Sequence, residues 1–410
     1  MILCKNFHEV AEFASLALKK PKITDKILYE NFFIFEFEGD HNLNGKLKIQ
    51  QIADHTGLSI STVSRVLAGK SNTSARAREQ VLSYAKSQGV LSGLSTGRLM
   101  LNNIVVFAPA RAFDARSDIF YYKVIQGIVA AVSQHDVRVR YCALEESDAD
   151  VALFIAKMTD PQTDAALLVG IDDAHIHQLA ADLAKPCVLI NCHDRLMRHD
   201  SVSPDHQTMG DFATDYLFTQ GHQRILTLQC LRRHTMELRL AGIKEAFARH
   251  NLAFNDSQHL VTTSGFGAQE AEQAMLNYLD TLPGDQPMPS AILAGGDFMA
   301  AGAVAALVKR GFAVPTDISV MSTDGFNLAE IHDVALTAVH VPRDELGVEA
   351  ISLLQRRLFR PEAPCSSVLL QGKLVTRNSV RKVTGRTLHP AVTSHNHQLY
   401  DDNQEAVEHR

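Results

Sequence analysis

At 410 residues, with a net charge of −6 and 46% hydrophobic side chains, the chain has material for two or three domains with buried cores. No uninterrupted apolar run reaches the roughly 18–20 residues of a bilayer span, and the mildly acidic balance excludes a surface that coats nucleic acid throughout. Cys4, Cys142, Cys187, Cys192, Cys230 and Cys365 lack CxxC spacing, which excludes a zinc knuckle or disulfide framework and fits a reducing cytoplasm.

In the first 46 residues the apolar patches are broken by Glu9, Glu12 and Lys19, and no small-residue cleavage site follows, so no signal peptide is expected. NFFIFEFEGD suits a strand but matches no known module. Met1 is the only methionine before Met100, so a start at Leu43 or Leu47, leaving 1–46 outside the native product, is the alternative expectation.

Charge then becomes uneven. From Lys46 to Met100, eight basic residues (Lys46, Lys48, Arg65, Lys70, Arg76, Arg78, Lys86, Arg98) meet only Asp54 and Glu79, a net of +6 that leaves −12 elsewhere. A small basic head on an acidic body is the footprint of a DNA-binding domain joined to something else. Ile49, Ile52 and Ala53 fall at helical spacing, and the pattern stops at Gly57, the residue type that accepts a left-handed helix end. Ser59 caps a second helix, with Val63, Val66 and Leu67 inward and Ile60, Ser61, Ser64 and Arg65 outward. Ser74 caps a third, through Ala77, Val81, Tyr84 and Ala85. The expected unit is a helix-turn-helix.

A recognition helix needs short side chains on its leading face and one long donor. Ile60, Ser61, Ser64 and Arg65 meet that demand, Arg65 being suited to bidentate contact with guanine, worth about 1–3 kcal/mol of discrimination. Thr62, Ser71, Asn72 and Ser74 are flanking candidates for phosphate or groove-edge contacts. An ordinary helical hairpin in an enzyme is the bland alternative.

Beyond residue 102, the apolar runs NIVVFAPA (103–110), AALLVG (165–170), PCVLIN (186–191), RILTLQ (224–229) and SAILAG (290–295) alternate with amphipathic stretches, the pattern of parallel sheets buried on both faces. No enzyme constellation stands out. The pairs HIH (175–177) and HNH (395–397) lack a third ligand and read as solvated surface. SGFG (264–267) is not a nucleophile elbow, and GGD (295–297) lacks the lysine of a phosphate loop. No catalysis, cofactor or metal is expected.

The stretch IQQIADHTGLSISTVSRVLAGKSNTSARAREQVLSYAKSQG resembles the DNA-binding headpiece of the lactose-repressor/galactose-repressor (LacI/GalR) family. GHQRI (221–225), LRLAGIKEAF (238–247), AGGDFMAAGAVAAL (294–307), VPTDISVMSTD (314–324) and VTRNS (375–379) resemble its effector-binding body, in the family's order. The resemblance covers 47–382 and implies an all-α helix-turn-helix headpiece on an α/β, periplasmic-binding-protein-like effector domain of two parallel-sheet subdomains. Expected domains are 1–46, an extension of unassigned role; 47–89, the headpiece; 90–102, a hinge; 103–382, the effector-binding and dimerisation domain (103–203 with 341–364, and 204–340 with 365–382); and 383–410, a disordered tail.

By resemblance, Arg239 and Asp324 stand at positions that hydrogen-bond an effector; their bland readings are a surface salt bridge and a turn or cap. Phe120, Tyr121 and Phe266 are cleft candidates by the same route, core packing being the commoner use of an aromatic. Asp297 is expected to cap the helix that follows it. Where the family has a Tyr-x-Pro-Asn start and an Ala-rich hinge helix, this chain reads GVLSGLSTGRLML (89–101), and Gly93 and Gly97 each disfavour helix by about 1 kcal/mol. Leu99 matches the family's minor-groove wedge. The tail lacks a leucine heptad, so a homodimer is expected. The implied function is a cytoplasmic repressor of a pseudo-palindromic operator under control of a small carbohydrate or sugar-phosphate. A nucleobase-responsive regulator, or a small-molecule binding protein without operator recognition, stays open.

Overall fold

The structure, a computed structural model, describes residues 42–67, 73–87, 101–115, 118–133, 135, 137–283, 287–326 and 334–383. The expectations for Ser71, Asn72, Leu99, HNH, residues 1–41, most of the hinge and residues 384–410 lie outside them. The chain divides into two units, Met1–Gln51 and Ile52–Arg410. Of the first, the described part is the opening of helix α1, Asn42–Thr56, which starts before the expected boundary at 47. Within the second unit α1 ends at Thr56, and Gly57 takes φ +69°, as its helix-ending role requires. Helices α2 (Ile60–Leu67) and α3 (Ala75–Ser87) follow. Ile52, Ala53, Val63, Val66, Ala77, Val81 and Ala85 are buried, and His55 stacks on Tyr84 with ring centroids 3.8 Å apart.

Beyond residue 102, the apolar runs become strands that helices cover. The first sheet collects β1 (Asn103–Ala108), β2 (Arg138–Ala143), β3 (Ala165–Val169), β4 (Cys187–Ile190) and β5 (Asp200–Pro204). Around it lie α4 (Ile119–Val132), α5 (Val151–Thr159) and α6 (Ala174–Asp182). After α7 (His206–Thr219) come β6 (Ile225–Gln229), α8 (His234–Arg249), a single turn Asp256–His259, β7 (Leu260–Thr262), α9 (Ala268–Thr281), β8 (Ala291–Ala294), α10 (Asp297–Lys309), β9 (Ser319–Ser322) and β10 (Thr337–His340). The chain closes with α11 (Arg343–Phe359), β11 (Ser367–Leu370) and β12 (Lys373–Val375). Every residue of β3, β4, β6 and β8 is buried, which is why these strands read as continuous apolar runs.

Among the described residues there are two six-stranded sheets, ordered β11-β5-β4-β3-β1-β2 and β12-β10-β9-β8-β6-β7. The first is wholly parallel; in the second only β12 runs antiparallel, against β10. Each sheet with its helices forms a lobe, and the chain passes between lobes at 205, 341–342 and 371–372. The last crossing corrects the boundary drawn at 364/365. Residues 367–370 belong to the first sheet because Ser367 to Leu370 pair in parallel with Ser201 to Pro204. A second correction concerns HIH. His175 is exposed, but His177 is buried and its Nε2 lies 2.8 Å from the Ile171 carbonyl, so it packs inside the lobe.

Two helix crossings fix the site. At α7 on α8, a Cβ added to Gly210 would lie 2.1 Å from the Arg239 carbonyl oxygen, and one on Gly242 1.8 Å from that of Gln207. At α4 on α11, a Cβ on Gly127 would meet the Asp344 carbonyl oxygen at 2.0 Å and one on Gly347 that of Val124 at 2.3 Å. Only glycine lets these backbones approach so closely. The crossings hold Arg239 and the first turn of α4 in place. His222 of GHQRI ties Ser290 (Nδ1 to Oγ, 3.1 Å) to the Arg381 carbonyl (Nε2, 3.1 Å), a structural use of that motif.

Candidate functional site

Loops at the carboxyl ends of the strands in both lobes line a cavity of about 500 Å³. Ligand sites in open α/β sheets form at such ends. All five cleft candidates, Phe120, Tyr121, Arg239, Phe266 and Asp324, line it. The geometry also brings in residues that the sequence reading passed over: Arg111, Asp118, Glu146, Asn191, His206, Arg232 and Arg233.

Arg239, on α8, is only 2% exposed, which excludes the surface salt bridge. Its Nη1 donates to the Gly295 carbonyl and to Thr323 Oγ1, each at 2.7 Å, and its Nη2 to His206 Nδ1 at 2.9 Å. A guanidinium only donates, so His206 Nδ1 accepts and the ring proton sits on Nε2, which donates to Asn191 Oδ1 at 2.9 Å. Burial, helped by the Arg239 charge, holds the His206 pKa well below its ordinary value, keeping that neutral tautomer. His206 opens α7, just after the first crossing, and so links the end of β4 to α8.

Asp324 lies 3.9 Å from Arg239, its side chain 18% exposed. Burial pushes its carboxyl up to about 6, against the pull of Arg239. Asp297 is fully buried but caps nothing of its own helix. Its carboxylate accepts from Ser322 Oγ and from the backbone N–H groups of Gly325 (3.0 Å) and Phe326, pinning the turn beside Asp324. That corrects the capping expectation.

Tyr121 is buried in the first turn of α4, behind the side chain of Asp118, which caps the helix by accepting from Tyr121 N at 3.1 Å. Its hydroxyl takes a hydrogen bond from Asn191 Nδ2 at 3.1 Å and another from Arg233 Nη1. Gly170 leaves room for the ring, since a Cβ there would sit 2.5 Å from Tyr121 Cζ. Arg233, also buried, reaches from the second lobe into the first. Its Nε donates to Asp172 Oδ2 at 2.8 Å and its Nη2 to the Asn191 carbonyl at 2.6 Å. Burial lowers its pKa to about 10 and raises that of Asp172 to about 6. Arg232 donates to Glu146 at 3.0 Å and lies over the Phe266 ring at 5.5 Å. Phe120 meets Tyr121 edge-on, with centroids 5.1 Å apart.

Ile60 is 51% exposed; Ser61 and Ser64 are exposed on the same helix. Arg65 folds back, its Nε donating to the Ser61 carbonyl at 3.0 Å. The Thr62 and Ser59 hydroxyls lie 2.8 Å apart, and Ser59 Oγ accepts from Thr62 N at 3.1 Å. Ser74 Oγ accepts from Ala77 N at 3.2 Å, the expected cap.

Residues 214–380 match the periplasmic binding protein-like domain family. The transcriptional repressor CytR of Escherichia coli K12 is 28% identical over 340 residues, covering 81% of this chain and 96% of that protein. The repressor PurR of Vibrio campbellii is 26% identical over 344 residues, 82% of this chain and 99% of that one. Over about four-fifths of its length the chain is similar to repressors of the LacI/GalR family. Among solved structures of that fold, the regulator CelR bound to cellobiose has a TM-score of 0.59 at 22% identity, covering 81% of this chain and 99% of that one. Among the described residues no helix is long and apolar enough to cross a membrane, and no cluster of metal-ligating side chains is found. In this chain the resemblance named the aromatic and Arg239–Asp324 parts of the lining, and the fold added the polar groups between the lobes.

Proposed function

We propose that the chain is a cytoplasmic, homodimeric repressor that reads a pseudo-palindromic operator and is controlled by a small carbohydrate or sugar-phosphate in the cavity between the lobes. One observation carries the reading. A cavity lined by aromatic rings, guanidiniums and carboxylates from both lobes belongs to a chain that matches curated transcriptional repressors along nearly their whole length. Ligand there touches both lobes, so it shifts their relative placement, and with it the hinges, towards whichever arrangement it binds better. In the head, the exposed Ile60, Ser61 and Ser64 with Arg65 supply the base-reading face, Thr62, Asn72 and Ser74 the flanking contacts, and Leu99 the minor-groove wedge. The lining aromatics Phe120, Tyr121, Phe266, Phe298 and Phe326 favour a nucleobase as the second reading of the effector.

The test is recovery of sheared genomic DNA from the protein's own organism at physiological salt, with and without a metabolite extract, followed by sequencing. Salt matters because phosphate contacts alone mimic recognition at low ionic strength. Enrichment of a few pseudo-palindromic sites, lost in Arg65→Ala, is the expected result. Uniform recovery of the genome by both proteins overturns operator recognition.

A further inference from the structure

Resting on that effector reading, we propose that the cavity takes an uncharged ligand and rejects its phosphate esters, and that Glu146 sets this selectivity. Among the described lining residues, four guanidiniums face four carboxylates. Glu146, after β2, has a side chain only 16% exposed and divides its oxygens between lobes. Oε1 accepts from Arg111 of the first lobe and Oε2 from Arg232 of the second. Arg111 also holds Asp118, at 3.0 Å. Arg233 is taken up by Asp172, Asn191 and Tyr121, and both Nη atoms of Arg239 bind Gly295, Thr323 and His206.

Phosphate is recognised by guanidinium forks whose donors are free to pair with its oxygens. Here a dianion would lose its water beside guanidiniums already neutralised, facing Glu146, Asp118 and Asp324, and such a desolvated charge goes uncompensated. The helix ends in the second-lobe wall do not restore the balance. The N-termini of α8, α9 and α10 have no side-chain cap, and their dipoles favour an anion. Each, however, already carries a carboxylate in its first turn: Glu237, Glu270 and Asp297. What the wall offers is a set of neutralised donors and acceptors, which suits hydroxyls or ring N–H groups.

The experiment is calorimetric titration of the full chain with inorganic phosphate. The quantity read is the part of the binding that Arg232→Ala abolishes, which separates the cavity from the basic head. In the parent that part is absent at millimolar phosphate. Glu146→Gln, which frees Arg232 and leaves Arg111 with Asp118 alone while keeping a hydrogen-bonding side chain, gains a site at least about tenfold tighter. Glu146→Asp behaves as the parent. Asp118→Asn keeps its helix cap, leaves Arg111 with Glu146 alone and is the second gain-of-binding variant. An Arg232-dependent phosphate site in the parent, or no gain in either neutralised variant, overturns the proposal.

A thermal-shift series of ribose and glucose against ribose 5-phosphate and glucose 6-phosphate closes the test. Any stabilisation is expected from the neutral member of a pair, and preference for an ester overturns the inference. If no small molecule of either kind bound the cavity, the effector reading would fall, while the phosphate titration would still decide the charge argument.

Discussion

Replacing Arg239 with methionine separates a structural beam from a residue that only meets ligand. The unbranched substitute fills most of the volume of the buried stem while deleting every donor. It leaves the Gly295 carbonyl, Thr323 Oγ1 and His206 Nδ1 without their arginine, and a carboxyl at 3.9 Å without its nearest cation. An unsatisfied buried acceptor costs about 1–3 kcal/mol, and breaking a buried charge pair by removing one partner about 3–5 kcal/mol. The terms overlap, because His206 and Asp324 can each take a proton once the arginine charge is gone, so the expected loss is about 4 kcal/mol at pH 7.5. Urea unfolding of both proteins, followed by far-UV circular dichroism at pH 7.5 and 5.5, measures it. The loss should shrink at the lower pH, where Asp324, pushed up to about 6 in the parent, is neutral. A loss under about 1 kcal/mol at both values would refute the reasoning and make Arg239 a ligand contact that the fold does not need.

Further outcomes follow from the same geometry. Gly242→Ala gains about 1 kcal/mol of helix propensity but drives a Cβ to 1.8 Å from a backbone oxygen, so it should lower the melting temperature by several degrees; a melting temperature at or above the parent's would show that the crossing yields. Burial raises the folded-state pKa of both Asp172 and Asp324 to about 6, above the unfolded value near 3.9. Their contribution to stability is therefore fully present below about pH 4 and lost as pH rises through about 6. Asp324→Asn removes that dependence, so its stability relative to the parent should improve by about 2 kcal/mol between pH 4.5 and 7.5. Parallel stability curves for the two proteins would contradict this.

How much of this was legible beforehand depended on what kind of residue carried the signal. The runs that became β1, β3, β4, β6 and β8 could be read because burial on both faces leaves little but apolar side chains. Residues 367–370 were misplaced because their burial alternates between exposed and half-buried, and their partner strand lies far back in the chain. Arg233 was missed for a related reason. Its partners Asp172 and Tyr121 are 61 and 112 residues away, and helical spacing says nothing about a charge satisfied at such distance. A usable signal was present all the same. Asp172, Asn191 and Arg232–Arg233 each stand just beyond the carboxyl end of an apolar run, where sheets of this class gather their ligands. Reading those positions for polar residues would have named much of the lining without any resemblance. His177 failed in the opposite direction, a polar residue assigned to the surface whose ring nitrogen is satisfied by a buried carbonyl.

The late return of the chain to its first sheet has a consequence for biosynthesis. Ser201 and Ser367 share a hydrogen bond across 166 residues, and Asp200, fully buried, is held by Arg356 and Arg357 of α11. At about 5–20 residues per second, a ribosome takes roughly 10–30 s to deliver those partners after β5 has emerged. Throughout that interval one edge of the nascent sheet is open and a carboxylate destined for burial has no counter-charge. Yield of this chain in a cell should therefore be governed by chaperone supply during translation more than by the stability of the finished molecule.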